Sequence, residues 1–348
     1  MINQKGGVGK TTTTVNVAAA LARMNQRVLV LDLDPQAHAT LHLGVDTDEH
    51  LGTIYDLLSD PQLDSKAVIS EARPNLDIIA SETDLAAVEG ELASHADRND
   101  RIRRVLEPIS GEYDYILFDC PPSLGLLTIN ALAAATEVII PMQAHFLALQ
   151  GVGKLLETIE LITQRINPTL IVSGVVLCAH DQQASHAQEV VDDLKAFFEG
   201  ARGAGKPWSD GCVFEPPVRR NIKLAESPSF GQTIFDYAPT AAGAKDYRAL
   251  TVSIVAAVPS LASPSLGQTE PRVDADLPVD VQPTKDADAG VVAKPPAVAK
   301  PLAVAKPLVV ADSPTPADLS VGAEPPVVEV RVGTATQTRR SDGCANPS

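Results

Sequence analysis

Aromatic residues are few and stop early. The chain of 348 residues has one Trp, five Tyr and seven Phe, and none follows Tyr247. Fourteen of the 27 prolines fall in 259–348. A segment without aromatics and rich in Pro, Ala and Val cannot bury enough apolar surface to offset its ordering entropy. The composition therefore predicts one folded domain over 1–258 and a disordered Pro/Ala/Val-rich tail over 259–348. Within the tail, AKPPAVAKPLAVAKP spaces Lys294, Lys300 and Lys306 six apart. Such a repeat favours extended polyproline II, as a spacer or as a docking segment for a partner or DNA. Cysteine is also sparse. Cys120, Cys178, Cys212 and Cys344 lie far apart with no CxxC spacing, which argues against zinc and iron–sulfur sites and for reduced thiols. No apolar run reaches the roughly 18 residues of a membrane span, and no signal peptide is seen. The expectation is a cytoplasmic protein. Basic residues are outnumbered, giving a net charge of −16. The 11 acidic and 8 basic residues of 259–348 leave about −13 on the domain, which excludes a surface coated in DNA-binding charge but not a local basic patch.

What the chain does contain is an alternation. VLVLDL (28–33), LDIIA (76–80), YDYILFD (113–119), EVIIP (137–141) and LIVSGVVL (170–177) are short, apolar and rich in β-branched residues. Runs of this kind suit strands buried on both faces of a parallel sheet. Helical stretches lie between them: TTTVNVAAALARM, LGLLTINALAAA, LLETIELITQRI and QEVVDDLKAFF, with a final helix over 240–257. Strand–helix alternation predicts βαβ crossovers and a doubly wound, mostly parallel α/β sheet with helices on both faces.

The densest chemical signal is at the start, MINQKGGVGKTTTT. Gly6, Gly7 and Gly9 free the backbone to wrap its N–H groups around phosphate oxygens. Lys10 can reach β- and γ-phosphates, and the Thr11 hydroxyl can ligate Mg²⁺. The following helix turns its positive end to the anion. This is the closing part of a phosphate loop, with Gln4 where the usual template has its first Gly. Lys5 has no role in an ordinary phosphate loop.

KGGVGKTT resembles the deviant Walker A motif of the ParA/MinD superfamily of ATPases, and NQKGGVGKTTT resembles its ParA (Soj) branch. The resemblance implies a P-loop NTPase that binds ATP through Gly6, Gly7, Val8, Gly9, Lys10, Thr11 and Thr12. It also implies that Lys5 reaches across a nucleotide-sandwich dimer to the partner's ATP. Asp32-Leu33-Asp34-Pro35-Gln36 matches the family's first switch motif and gives Asp34 the role of polarising the attacking water. YDYILFDCPPSLG matches its Walker B and second switch, so Asp119 is implied to bind Mg²⁺ through water. VFEPPVRRNIKLAESPSFGQTIFDYAP (213–239) resembles a further block of the family, and the resemblance implies that Asn221 contacts adenine. There Arg220 and Lys223 match basic positions of a non-specific DNA surface, and Arg219, Arg220 and Lys223 form a local basic cluster.

The resemblance covers about 3–257. It departs at His145 and Gln150, where the family has acidic residues, and at Gln183, where arginine is frequent; Asp181 is kept. These departures bear on hydrolysis rate and DNA binding, not on nucleotide binding. Only Met1 and Ile2 remain of the family's first strand, which raises the expectation of a translation start upstream of Met1. The implied function is a slow, partner-stimulated partition ATPase that uses ATP and Mg²⁺, dimerises with ATP, binds non-specific DNA on the nucleoid and answers to a ParB-like partner. A MinD-like or other cargo-positioning ATPase is the alternative. The membrane form of that reading needs an amphipathic basic helix, and TATQTRRSDGCANPS has no apolar face. A small-acid ligase on the same fold is a further alternative that has no need of Lys5.

Overall fold

The computed structural model describes residues 1–47, 52–181 and 185–257, so the tail over 259–348 and Gln183 lie outside the described residues. In chain order the first half runs α1 (Lys10–Arg23), β1 (Val28–Asp32), α2 (His38–Leu43), α3 (Ile54–Ser59), β2 (Ile69–Arg73), β3 (Leu76–Ile79), α4 (Val88–Leu92) and α5 (Arg101–Leu106). The second half runs β4 (Tyr115–Asp119), α6 (Leu126–Ala134), β5 (Glu137–Met142), α7 (Phe146–Arg165), β6 (Ile171–Leu177), α8 (Ser185–Ala201), β7 (Cys212–Phe214), α9 (Ile222–Glu226), α10 (Ile234–Tyr237) and α11 (Ala242–Ala257).

The strands pair in the orders β2-β3-β1-β4 and β5-β6-β7. Among the described residues the strand pairings are parallel except that of the edge strand β2 with β3. All five strands read from the sequence are present. The two that periodicity does not reveal are β2, whose ISEAR sequence carries two charges on an edge, and β7, which is three residues long.

Strand β1 shows why a continuous apolar run is needed. Val28, Leu29, Val30 and Leu31 are all fully buried, and successive side chains leave on opposite faces. Val28 and Val30 join Val15, Ala18 and Leu21 of α1 and Tyr247 and Leu250 of α11. Leu29 and Leu31 join Ile54, Leu57 and Leu58 of α3, Ile102 of α5 and Leu127 of α6. The sheet is therefore covered on both faces, and a strand with one polar face would expose polar groups to one of the two cores. A third core sits where α7 and α8 pack on β5 and β6.

Between β4 and β5 lie the first three residues. The Met1 amine donates to Phe118 O at 2.7 Å, Ile2 N donates to Ile139 O at 3.2 Å, and Asn3 Nδ2 donates to Pro141 O at 2.8 Å. These bonds run from Phe118 near the end of β4 along β5 to Pro141, and they aim the next residues, the phosphate loop, over the C-terminal edge of the sheet.

His42 on α2 is buried, with Nε2 3.5 Å from Ser227 Oγ. Burial pushes its pKa down to about 4; the charge of Arg73 adds to this and a backbone hydrogen bond at Gln232 opposes it. The folded chain then binds fewer protons than the unfolded chain between its folded pKa of about 4 and the ordinary histidine value of 6.5. His42 contributes stability that is complete above that window and lost as pH falls through it, up to about 3 kcal/mol. We expect denaturant melts at pH 7 and pH 5 to show this loss, and His42→Asn to flatten the difference; parallel pH profiles would exclude His42 as its source.

Candidate nucleotide site

The loop from Lys5 to Gly9 crosses the C-terminal edge of the sheet. Gly7 and Gly9 have φ of +71° and +96°, in the left-handed region that glycine tolerates. At Gly9 there is a second reason for glycine, because a Cβ would stand 3.2 Å from Cβ and Sγ of Cys178, just beyond β6. Gly9 is also the residue that caps α1, so α1 begins with the loop's amides at its positive end. Gln143, just past β5, donates Nε2 to Gly7 O at 3.2 Å, and Lys5 N donates to Asn3 Oδ1 at 3.0 Å. Val8 is buried, while Gly6 is open to solvent.

Lys10 opens α1 and is 7% exposed, with Nζ donating to Lys5 O at 3.5 Å. Burial pulls its pKa down, and the charges of Asp119 and Asp34 push back. A desolvated ammonium facing carboxylates and backed by loop amides is a strong point charge for a polyphosphate. The threonines that follow are put to separate uses. Thr11 Oγ1 donates to Asp119 Oδ2 at 2.6 Å and Thr14 Oγ1 to Asp119 Oδ1 at 3.0 Å. Thr13 Oγ1 lies 3.1 Å from Tyr247 Oη on α11 and 3.4 Å from Cys178 Sγ. Thr12 O accepts from Asn16 Nδ2 at 2.8 Å.

Asp119 is fully buried at the end of β4, and the β1–β4 register sets it beside Asp32, also fully buried. Burial and the neighbouring Asp119 charge push the Asp32 carboxyl well above the usual carboxylate range, and burial raises that of Asp119 too. Asp34 follows two residues on, 8% exposed, with Oδ1 accepting from Gln36 N at 3.0 Å. Among the described residues no three His, Cys, Asp or Glu side chains cluster as a metal cage. The Thr11 hydroxyl and Asp119 carboxylate are hard oxygen donors, and they suit Mg²⁺, which keeps waters and phosphate oxygens in its shell.

The sequence-predicted residues thus separate into three groups. Lys10, Thr11, Asp34 and Asp119 converge on one edge. Lys5 sits at the exposed front of the loop, where its Nζ donates to His145 Nε2 at 2.6 Å. In the sequence His145 is no more than a departure from pattern; in the folded chain it is the partner of Lys5. The 218–221 segment is tied to the same edge: His180 N donates to Val218 O at 2.9 Å, Arg220 N donates to His180 O at 3.4 Å, and His180 is bridged to Arg219. There Asn221 caps α9, its Oδ1 accepting from Lys223 N at 2.9 Å.

The basic cluster is divided. Arg219 is bound to the buried Asp246 of α11 through Nε at 3.0 Å and Nη2 at 2.6 Å. Lys223 pairs with Glu226 at 2.8 Å and lies 5.5 Å from the Tyr237 ring centre. Among the described residues Arg220 is the exposed member of the three without an acidic partner. Sequence reasoning missed Asp32, Thr40 and Ser81, which surround Asp34; only Asp32, a second carboxylate at a strand end, carried a signal.

Gly9→Ala is expected to lower stability by about 2 kcal/mol, since alanine is strained in the left-handed backbone and meets Cys178. Gly6→Ala, with nothing within 4 Å of its Cβ, is expected to change stability little. Paired urea melts measure both, and equal midpoints would remove the steric account of Gly9.

Compared with known proteins, residues 1–172 match the family model described as an AAA domain. The chain is 43% identical over 249 residues to the chromosome partitioning protein ParA of Myxococcus xanthus, covering 71% of this chain and 84% of that one. It is 39% identical over 254 residues to the sporulation initiation inhibitor protein Soj of Bacillus subtilis, covering 73% and 96%. Among solved structures, cobyrinic acid a,c-diamide synthase from Mycobacterium smegmatis with bound ADP and magnesium superposes with a TM-score of 0.60 at 33% identity, covering 72% of this chain and 90% of that one.

Proposed function

The chain belongs to the ParA family of ATPases, and from that membership we propose that it is a partition ATPase. In this reading it binds ATP with Mg²⁺, closes into a nucleotide-sandwich dimer and holds DNA without regard to sequence. A ParB-like partner then speeds slow hydrolysis and release. The reading places the protein on the nucleoid, with residues 1–258 as the ATPase domain and the tail as a spacer or docking segment.

The observation that carries the proposal is the convergence of Lys10, Thr11, Asp34 and Asp119 on one sheet edge. Loop amides from Gly6 to Thr12 wrap the phosphates, and Lys10 neutralises charge on the terminal pair. Thr11 directly, and Asp119 through water, would hold Mg²⁺, which supplies further charge neutralisation. Asp34 orients the attacking water, Asn221 reads adenine, and Lys5 acts on the nucleotide of a second protomer. For that last role Lys5 leaves His145, one exposed hydrogen bond, a small cost beside a charge-assisted phosphate contact.

Asp34→Ala is expected to keep ATP binding and lose at least tenfold in turnover, whereas Lys10→Ala loses binding itself. Phosphate release and fluorescent-nucleotide titration separate the two. An Asp34→Ala protein turning over at the wild-type rate would remove the role given to Asp34.

DNA binding falls chiefly to Arg220, since Arg219 and Lys223 are committed to acidic partners. The domain's negative charge is screened beyond about 8–10 Å at ordinary salt, so a local basic group suffices. Anisotropy on random duplex with ATP is expected to show binding that weakens in Arg220→Glu. The salt slope should fall by about one unit for each phosphate that the variant no longer neutralises. Equal binding by both proteins would move the DNA surface elsewhere.

A second reading, an ATP-dependent ligase of a small acid, rests on the likeness to the M. smegmatis synthase. It requires turnover that depends on an added carboxylic acid and is indifferent to DNA and to protein concentration.

A further inference from the structure

Asp34 stands in a closed ring of hydrogen bonds made by residues to which the proposed mechanism assigns no task. Asp34 N donates to Asp32 Oδ1 at 3.2 Å. Asp32 Oδ2 accepts from Thr40 Oγ1 at 2.8 Å and from Thr40 N at 2.9 Å. Thr40 Oγ1 in turn accepts from Ser81 N at 3.0 Å. Ser81 Oγ donates to Asp34 O at 2.8 Å and closes the circuit. Three segments meet in it: the end of β1, the first turn of α2 and the exit of β3.

All four residues are buried, Asp32 and Ser81 completely. A buried polar ring is stabilising only while every member is satisfied, since each orphaned group carries its full desolvation cost. The ring therefore has one favourable arrangement, and that arrangement fixes the peptide on both sides of Asp34. The loop beyond it depends on the same anchor, because Asp34 O also accepts from Ala37 N at 2.8 Å, where Ala37 sits at a φ of +53°.

We propose that Thr40 and Ser81 are positioning residues for Asp34: through the ring with Asp32 they hold its main chain, and so its carboxylate, at the place from which it orients water. The proposal rests on the ATPase reading of Asp34. Neither hydroxyl need touch the nucleotide. A catalytic group misplaced by about 1 Å can lose up to a hundredfold in rate while binding is untouched. The signature is thus a fall in kcat with nucleotide affinity preserved.

The experiment compares wild type with Ser81→Ala, Thr40→Val and the conservative Thr40→Ser in the full chain. Two measurements are made: hydrogen–deuterium exchange of the peptides covering residues 34–41, and kcat beside fluorescent-ATP affinity. Ser81→Ala and Thr40→Val are expected to speed exchange in that segment and to lower kcat about tenfold or more, with affinity changed less than about twofold. Thr40→Ser, which keeps the hydroxyl, restores both. Exchange unchanged in Ser81→Ala and Thr40→Val overturns the ring as an anchor. Exchange that speeds with kcat unchanged overturns its part in turnover. A wild-type protein that hydrolyses no ATP removes the ATPase reading, while the exchange comparison still decides whether the ring holds Asp34.

Discussion

Two carboxylates stand side by side without solvent at the ends of adjacent parallel strands. The β1–β4 register makes Asp32 and Asp119 neighbours, and the two-sided burial of the sheet removes water from both. Each is costly to bury alone, and each raises the cost of the other. The surrounding structure answers that cost with hydroxyls and amides. Thr11 and Thr14 bring the start of α1 onto Asp119. Thr40 brings α2 onto Asp32. The phosphate loop and the segment that follows β1 are docked on the sheet by the same pair of carboxyl groups, and the Lys10 ammonium adds a favourable charge beside Asp119 and Asp34.

This arrangement gives the run of four threonines a meaning that composition cannot. Thr11 and Thr14 face one carboxylate, while Thr13 turns to Tyr247 and Cys178 on the opposite side of α1. Residues three apart share a helix face, so the run divides by position. Tyr247 stands next to Asp246, which binds Arg219. One turn of α11 therefore touches the loop helix on one side and the basic segment on the other. The strand-like stretch 218–221 is held between α11 and the end of β6. Both contacts keep Arg220 and Asn221 at the nucleotide edge, although they come more than 200 residues after the loop.

The strand pattern, the layered fold and the phosphate loop were legible in the chain because each is a local signal. Buried parallel strands need unbroken apolar runs, crossover helices need an apolar stripe, and a backbone that wraps phosphate needs glycines at fixed spacing. Asp119 and Asp34 also stand in short motifs, and the structure sets both beside Lys10. Two strands were missed for local reasons. β2 lies on an edge where charge is tolerated, and β7 is too short to show a period.

What the tertiary structure alone decided was the partner of each polar side chain. A basic cluster of three in the sequence becomes one uncommitted arginine, because Asp246 and Glu226 hold the other two. His145 becomes the partner of Lys5 across 140 positions, and Ser81 closes on Asp34 across 47. Side-chain type and spacing determine which groups a segment can offer. Which groups meet depends on strand register and crossover, and these are set by the burial of apolar residues that take no part in the chemistry.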